Sequence, residues 1–270
     1  MGAVGLVQPL PKRTTAVTLN TALHAEWIKF YTLKSYPCMT VVLLVVIVGM
    51  GVLEAFSWVW SADTGTHVGI VPPGQLLNGI QYTHVLISIL AVVFTASEYT
   101  QGTIRPTLLA VPKRVLFLTA KALVMGTVGL TVGLLGSATV FLAIPGVFAG
   151  TQFQLADNSS DIARAISGSG ISLGFMAMLA VGLSALIRSL IAGLITVVGL
   201  LVVAPIALSA VPLGWTAKII AYLPSVAGSQ YLAPDPALTI LGPWWGLIVL
   251  ACWVSASLVA GGMALRYRDA

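Results

Sequence analysis

Six apolar runs, each long enough to cross a bilayer, divide this sequence. They fall at about 38–57, 76–96, 122–144, 165–187, 190–211 and 244–264. Roughly 20 apolar residues in a helix span the hydrocarbon layer. In lipid every backbone N–H and C=O must be satisfied within the chain, which favours helices. The expectation is an all-α integral membrane protein of six transmembrane helices, with residues 1–270 as one polytopic domain. Composition agrees: 58% of the 270 residues are hydrophobic and 8% are charged, against roughly 25% charged in a soluble domain.

Six is an even number, so both termini lie on one side, and the basic residues say which. With the termini inside, Lys12, Arg13, Lys29, Lys34, Arg105, Lys113, Arg114, Lys121, Arg188, Arg266 and Arg268 are cytoplasmic or at that interface. Only Arg164 and Lys218 stay outside. Glu54, Asp63, Asp157, Asp161 and Asp235 then lie outside, with Glu26, Glu98 and Asp269 inside. The expected place is the cytoplasmic membrane, multi-pass, with both termini cytoplasmic. The net charge of +5 is thereby a consequence of topology, with some attraction to anionic lipid. No basic patch interleaved with aromatic residues points to nucleic acid. No cleavable signal peptide is apparent ahead of the first run, which is too long for a signal h-region. The expectation is insertion by the chain's own helices.

Residues 1–14 read as a disordered tail. From Val17 to Lys34 the spacing turns helical, with Leu19, Leu23, Trp27, Phe30 and Tyr31 on one face and Glu26 close to it. Over 15–36 this predicts an amphipathic helix lying in the cytoplasmic interface; an unattached basic tail is the alternative. Residues 212–243, external by the same topology, hold "WTAKIIAYLP" and "LTILGPWW". They are too apolar for a free loop, and short re-entrant helices before the sixth span would explain them. Gly129/Gly133 in the third span and Gly170/Gly174 in the fourth have the spacing that lets helix backbones approach closely, within one subunit or between two.

Much chemistry is excluded. The nearest approach to a phosphate-binding loop, "GIVPPGQL" at 69–76, has Gln75 and Leu76 where Lys and Ser/Thr belong. No HExxH or GxSxG occurs, "HAE" at 24–26 lacks a PCxxC partner, and Cys38 and Cys252 have no metal-ligand spacing. No catalytic residue and no metal ligand is assigned, and no cofactor bound by this chain is expected.

Polar groups inside apolar runs therefore carry the functional argument. In the second span Asn78, Gln81, His84, Ser88 and Thr95 fall within about 120° of one another at 100° per residue. Such a stripe should not face lipid tails. It lines a substrate path or bonds to a neighbouring helix. Glu54, at the outer end of the first span, faces the external interface near Trp58 or touches substrate. Lys121 is expected to snorkel to the cytoplasmic surface.

Between the second and third spans lies "SEYTQGTIRPTLLAVPKR", residues 97–114. Gly102 permits a turn, Thr103 can cap a short helix, and Pro106 fits only a first helical turn. Ile104, Leu108 and Leu109 would form an apolar patch that needs a partner groove. The longer stretch "EYTQGTIRPTLLAVPKRVLFLTAKAL" resembles the segment joining helices two and three in ABC-2-type transporter permeases, membrane subunits of type-V-fold ABC exporters. Those commonly read E-(Y/F)-x-x-G-T-(I/L)-R-x-x-L, then a basic pair, then a helix with a Lys. "HAEWIKFYTLKS" resembles their N-terminal amphipathic helix. The specific part is 98–121, and Pro106 departs from the usual Thr or Ser.

The resemblance implies that this segment is a cytoplasmic coupling helix docking on a separate ATPase subunit. Glu98, Gly102, Thr103, Ile104, Arg105 and Leu108 match the motif, with Leu109 completing the apolar patch. It also implies a homodimer, or pairing with a similar permease, served by two ATPase copies that hold the ATP and magnesium. The expected function is export of a drug-, peptide- or lipid-like substrate. A secondary transporter or channel, or a membrane anchor or sensor without transport, are the alternatives; the paired charges and inverted repeat of many secondary transporters are not evident.

Overall fold

The computed structural model describes residues 18–62, 69–100, 114–156, 158–211, 214–233 and 240–267. The expected tail at 1–14 and the expected coupling segment, including Gly102, Thr103, Ile104, Arg105, Leu108 and Leu109, lie outside the described residues. The chain is built from α1 (Leu19–Thr32), α2 (Ser35–Ala62), α3 (Ile80–Thr100), α4 (Arg114–Phe148), α5 (Ser159–Ile187), α6 (Leu190–Val198), α7 (Ala204–Ser209), α8 (Thr216–Ala221), α9 (Pro224–Ala227) and α10 (Pro243–Tyr267).

Among the described residues six helical segments are long and apolar enough to cross a membrane: Ser35–Ser61, Pro73–Tyr99, Val115–Phe148, Ser159–Ile187, Leu190–Ser209 and Pro243–Tyr267. Each matches one of the six runs read from the sequence. Their burial differs sharply. In the most apolar stretch of α5, 67% is buried inside the protein, against 22% for α2 and 17% for the α6–α7 segment. So α5 is the core helix, and α2 and α6–α7 turn most of their apolar surface outward.

Small residues explain why α5 can sit in the middle. A Cβ on Gly129 would lie 2.5 Å from the Leu173 carbonyl oxygen, and one on Gly133 would lie 2.5 Å from that of Ser169. Across the interface a Cβ on Gly174 would meet the Gly126 carbonyl at 2.9 Å. The two small-residue pairs thus face each other within one chain, backbone against backbone. The same device joins α5 to α10, where a Cβ on Gly261 would lie 2.7 Å from the Gly182 carbonyl.

Local signals set the element ends. Thr18 caps α1 by accepting from the Thr21 N–H, and Asn158 caps α5 by accepting from that of Ser160. Between α5 and α6 the chain reverses over two residues. Arg188 takes a left-handed φ of 59° and Ser189 caps α6. The fifth span is not one regular helix. A π-helical stretch at Gly199–Val203 precedes Pro205, which lies in the first turn of α7. That widened turn accommodates a ring that would collide with the carbonyl four residues earlier in a straight helix.

The termini of the bundle share an end. α1 is joined to α4 there by Lys121–Glu26, and Arg188 Nη2 donates to the Ala264 carbonyl of α10. At the opposite end β1 (Ile70–Val71) pairs in parallel with β2 (Gln154–Leu155), Ile70 opposite Gln154. The apolar stretch before the sixth span forms α8, α9 and a 3₁₀ turn at Gln230–Leu232. The amphipathic face expected for α1 is rotated. Ala22, Glu26 and Phe30 are its buried residues, whereas Leu19 and Tyr31 are exposed. Glu26 belongs to the packed face because it has a cation to meet.

Candidate functional site

Three polar regions lie along the bundle. The first is at the α1 end. Lys121, on α4, is completely buried; its Nζ lies 2.8 Å from Glu26 Oε2 of α1 and 3.0 Å from Glu98 Oε1 of α3. Lys29 of α1 also pairs with Glu98. Three elements distant in sequence thus bring two ammonium groups and two carboxylates together, charges that balance among the described residues. Lys121 does not snorkel to the surface as expected. Two carboxylates neutralise it inside, and its Nζ sits 4.3 Å from the Phe94 ring centre and 4.9 Å from that of Phe117.

Aromatic packing closes the cluster. Tyr36 meets Phe94 edge-on at 5.1 Å, and Phe30 stacks on Tyr36 at 6.0 Å. Lys29 is half-buried; burial, with the Lys121 ammonium close by, lowers its pKa from the ordinary lysine value. The Glu98 carboxylate opposes that shift. Glu98, expected as part of the ATPase-binding segment, is buried here at the foot of that segment.

The second region is neutral and lies mid-bundle. His84 Nε2 of α3 lies 3.1 Å from Ser172 Oγ of α5. Ser172 donates to the Tyr231 hydroxyl at 3.3 Å, and Tyr231 donates to Ser169 Oγ at 3.2 Å. Ser169 Oγ donates to the Ala165 carbonyl at 2.6 Å. In that direction His84 donates through Nε2. Burial pushes the Tyr231 phenol up to about 12, so it remains a donor. Ser88 bonds within α3, to the His84 carbonyl at 2.7 Å, and across to the Met176 carbonyl of α5 at 3.4 Å.

The third region is at the opposite end. Asn78 and Gln81 line a pocket of about 300 Å³ with Gln75, Ser229 and Gln230. They also line a second, of about 490 Å³, between α2, α3, the π-helical stretch and α9. Glu54 lines the second pocket beside them rather than facing outward alone.

The stripe read along the second span is therefore divided. Its outer members, Asn78 and Gln81, open onto pockets, while His84 and Ser88 bind α5. Thr95 is buried, and its hydroxyl has no partner among the described residues. Sequence reasoning missed the roles of Glu26, Lys121 and Tyr231. For the first two a signal existed: one acid on an apolar helix face and one lysine inside an apolar run are complementary. Among the described residues no group of three or more His, Cys, Asp or Glu could hold a metal ion. No family model matches the chain, and no curated protein matches it.

Proposed function

We propose that this chain is the permease subunit of an ATP-driven exporter in the cytoplasmic membrane, with both termini cytoplasmic. One observation carries the reading. The two stretches that resemble ABC-2 permeases, 24–35 and 98–123, contribute the four described members of the charge cluster: Glu26 and Lys29 from the first, Glu98 and Lys121 from the second. Glu98 stands at the last turns of α3, where the chain enters the segment expected to dock on the ATPase. Movement of that segment would reach α1, α3 and α4 together, because one buried lysine bonds two of these helices to the third.

Two ATPase subunits, holding the ATP and magnesium, close on the coupling segments of a dimer of this chain or of this chain with a similar permease. Gly102, Thr103, Ile104, Arg105, Leu108 and Leu109 form the docking surface. The apolar short helices before the sixth span re-enter the outer leaflet. The cargo is drug-, peptide- or lipid-like and passes the pockets lined by Asn78 and Gln81.

The test is affinity purification of the tagged chain from its native membrane in mild detergent. An ATPase bearing a phosphate-binding loop should co-purify, and Arg105→Glu with Leu108→Asp should remove it and abolish coupled hydrolysis. Retention of both association and coupled hydrolysis in that double variant would refute the docking assignment.

A further inference from the structure

We propose that the pocket between α2, α3, the π-helical stretch and α9 is a binding site for monocationic amphiphiles, with Glu54 as the counter-charge. Its volume of about 490 Å³ suits a small organic molecule. Seven of its twelve lining residues are apolar, Met50, Leu201, Pro205 and Ile206 among them, so an apolar body has walls to fill. Among the described residues no lysine or arginine lines it, and Glu54 is its one carboxylate. Among the described residues the Glu54 carboxylate makes no ion pair, unlike Glu26, Glu98 and Asp161. An ionisable group within a membrane-spanning helix is costly and normally paired.

Neutral polar groups converge beside it. Asn78 and Gln81 line the same space, and Ser225 contributes a buried hydroxyl with no partner among the described residues. A cation placed against Glu54 would satisfy the carboxylate in surroundings less polar than water, where the attraction strengthens. Its N–H groups, if it has them, would find the amide and hydroxyl oxygens. A bare metal ion would leave the apolar wall unfilled. An anion would meet Glu54 with no cation among the described lining residues to offset it.

The role of this site as a cargo station rests on the permease reading, but binding itself does not. The experiment uses the purified full-length chain in phosphatidylcholine nanodiscs and tetraphenylphosphonium as probe, measured by equilibrium dialysis against empty discs. Saturable binding above the empty discs is expected. Glu54→Gln should weaken it at least fivefold, and Val202→Trp, which adds bulk to the same space and leaves the carboxylate intact, should weaken it too. Uncharged triphenylphosphine oxide at tenfold excess should not displace the probe, a comparison that needs no variant to fold. Binding no greater than to empty discs, a smaller effect of Glu54→Gln in a folded variant, or equal competition by the uncharged compound overturns the site. No ATPase is present in this assay. Probe binding together with failure to co-purify an ATPase would sink the exporter reading and leave the site standing.

Discussion

The charged cluster at the α1 end and the hydroxyl–imidazole chain in the middle of the bundle both bury polar groups in an apolar protein. They do so by opposite means. Around Lys121, attraction between full charges offsets a large desolvation cost, so the buried members Lys121, Glu26 and Glu98 depend on one another. Around Tyr231 the groups are neutral, each bond contributes little, and a lost partner leaves a smaller debt. Charge therefore stands where three helices must keep one arrangement, and neutral bonds stand where α3, α5 and the Gln230–Leu232 turn only need alignment.

That contrast breaks most sharply at Lys121. Lys121→Met removes the ammonium that Glu26 and Glu98 share, and should cost about 3–5 kcal/mol. Thermal unfolding in mild detergent, followed by tryptophan fluorescence, reads the loss. Adding Glu98→Gln to that variant should recover part of it, since the second change relieves the repulsion between the two carboxylates; simple additivity of the two would show that the groups do not interact. Next comes Gly133→Ala. Its methyl would press on the Ser169 carbonyl, where a Cβ would lie at 2.5 Å, and forcing α4 from α5 should cost about 1–3 kcal/mol.

The neutral chain is expected to yield less. Tyr231→Phe keeps the ring against Gly168 and removes only the hydroxyl that joins Ser169 and Ser172. A loss of about 0.6 kcal/mol, and no more than about 1.7 kcal/mol, is expected in the same unfolding assay. Smallest should be Lys29→Gln, because Lys29 keeps 27% of its side chain exposed and solvent screens its pairing with Glu98. A change under about 1 kcal/mol is expected, falling further at high salt. Equal effects for Lys121→Met and Tyr231→Phe would erase the distinction between the two regions.

The helices were legible in the sequence because a bilayer imposes a length and a composition on each span. The turn at Arg188–Ser189 falls where the fourth and fifth runs part, and the facing glycines of α4 and α5 carried their spacing openly. The partnerships were not legible. Glu26 and Lys121 are 95 residues apart, and each in isolation reads as a blemish, one on a helix face and one in an apolar run. Tyr231 meets Ser172 from 59 residues away, through a segment whose composition announces only that it is apolar. Helical periodicity put Asn78, Gln81, His84, Ser88 and Thr95 on one face, although Asn78 stands just ahead of α3. It does not say that the neighbour changes from a pocket to α5 along that face, since this depends on where the Gln230–Leu232 turn and α9 sit.

In the proposed exporter the segment after Glu98 docks on an ATPase, with the charge cluster at its root. Site-specific photocrosslinking from position 104, with a photoreactive residue in place of Ile104 and the chain in its native membrane, tests it most directly. The account predicts one dominant adduct, with an ATPase that carries a phosphate-binding loop, lost when Arg105→Glu is added. Adducts only with lipid or with a second copy of this chain would contradict it.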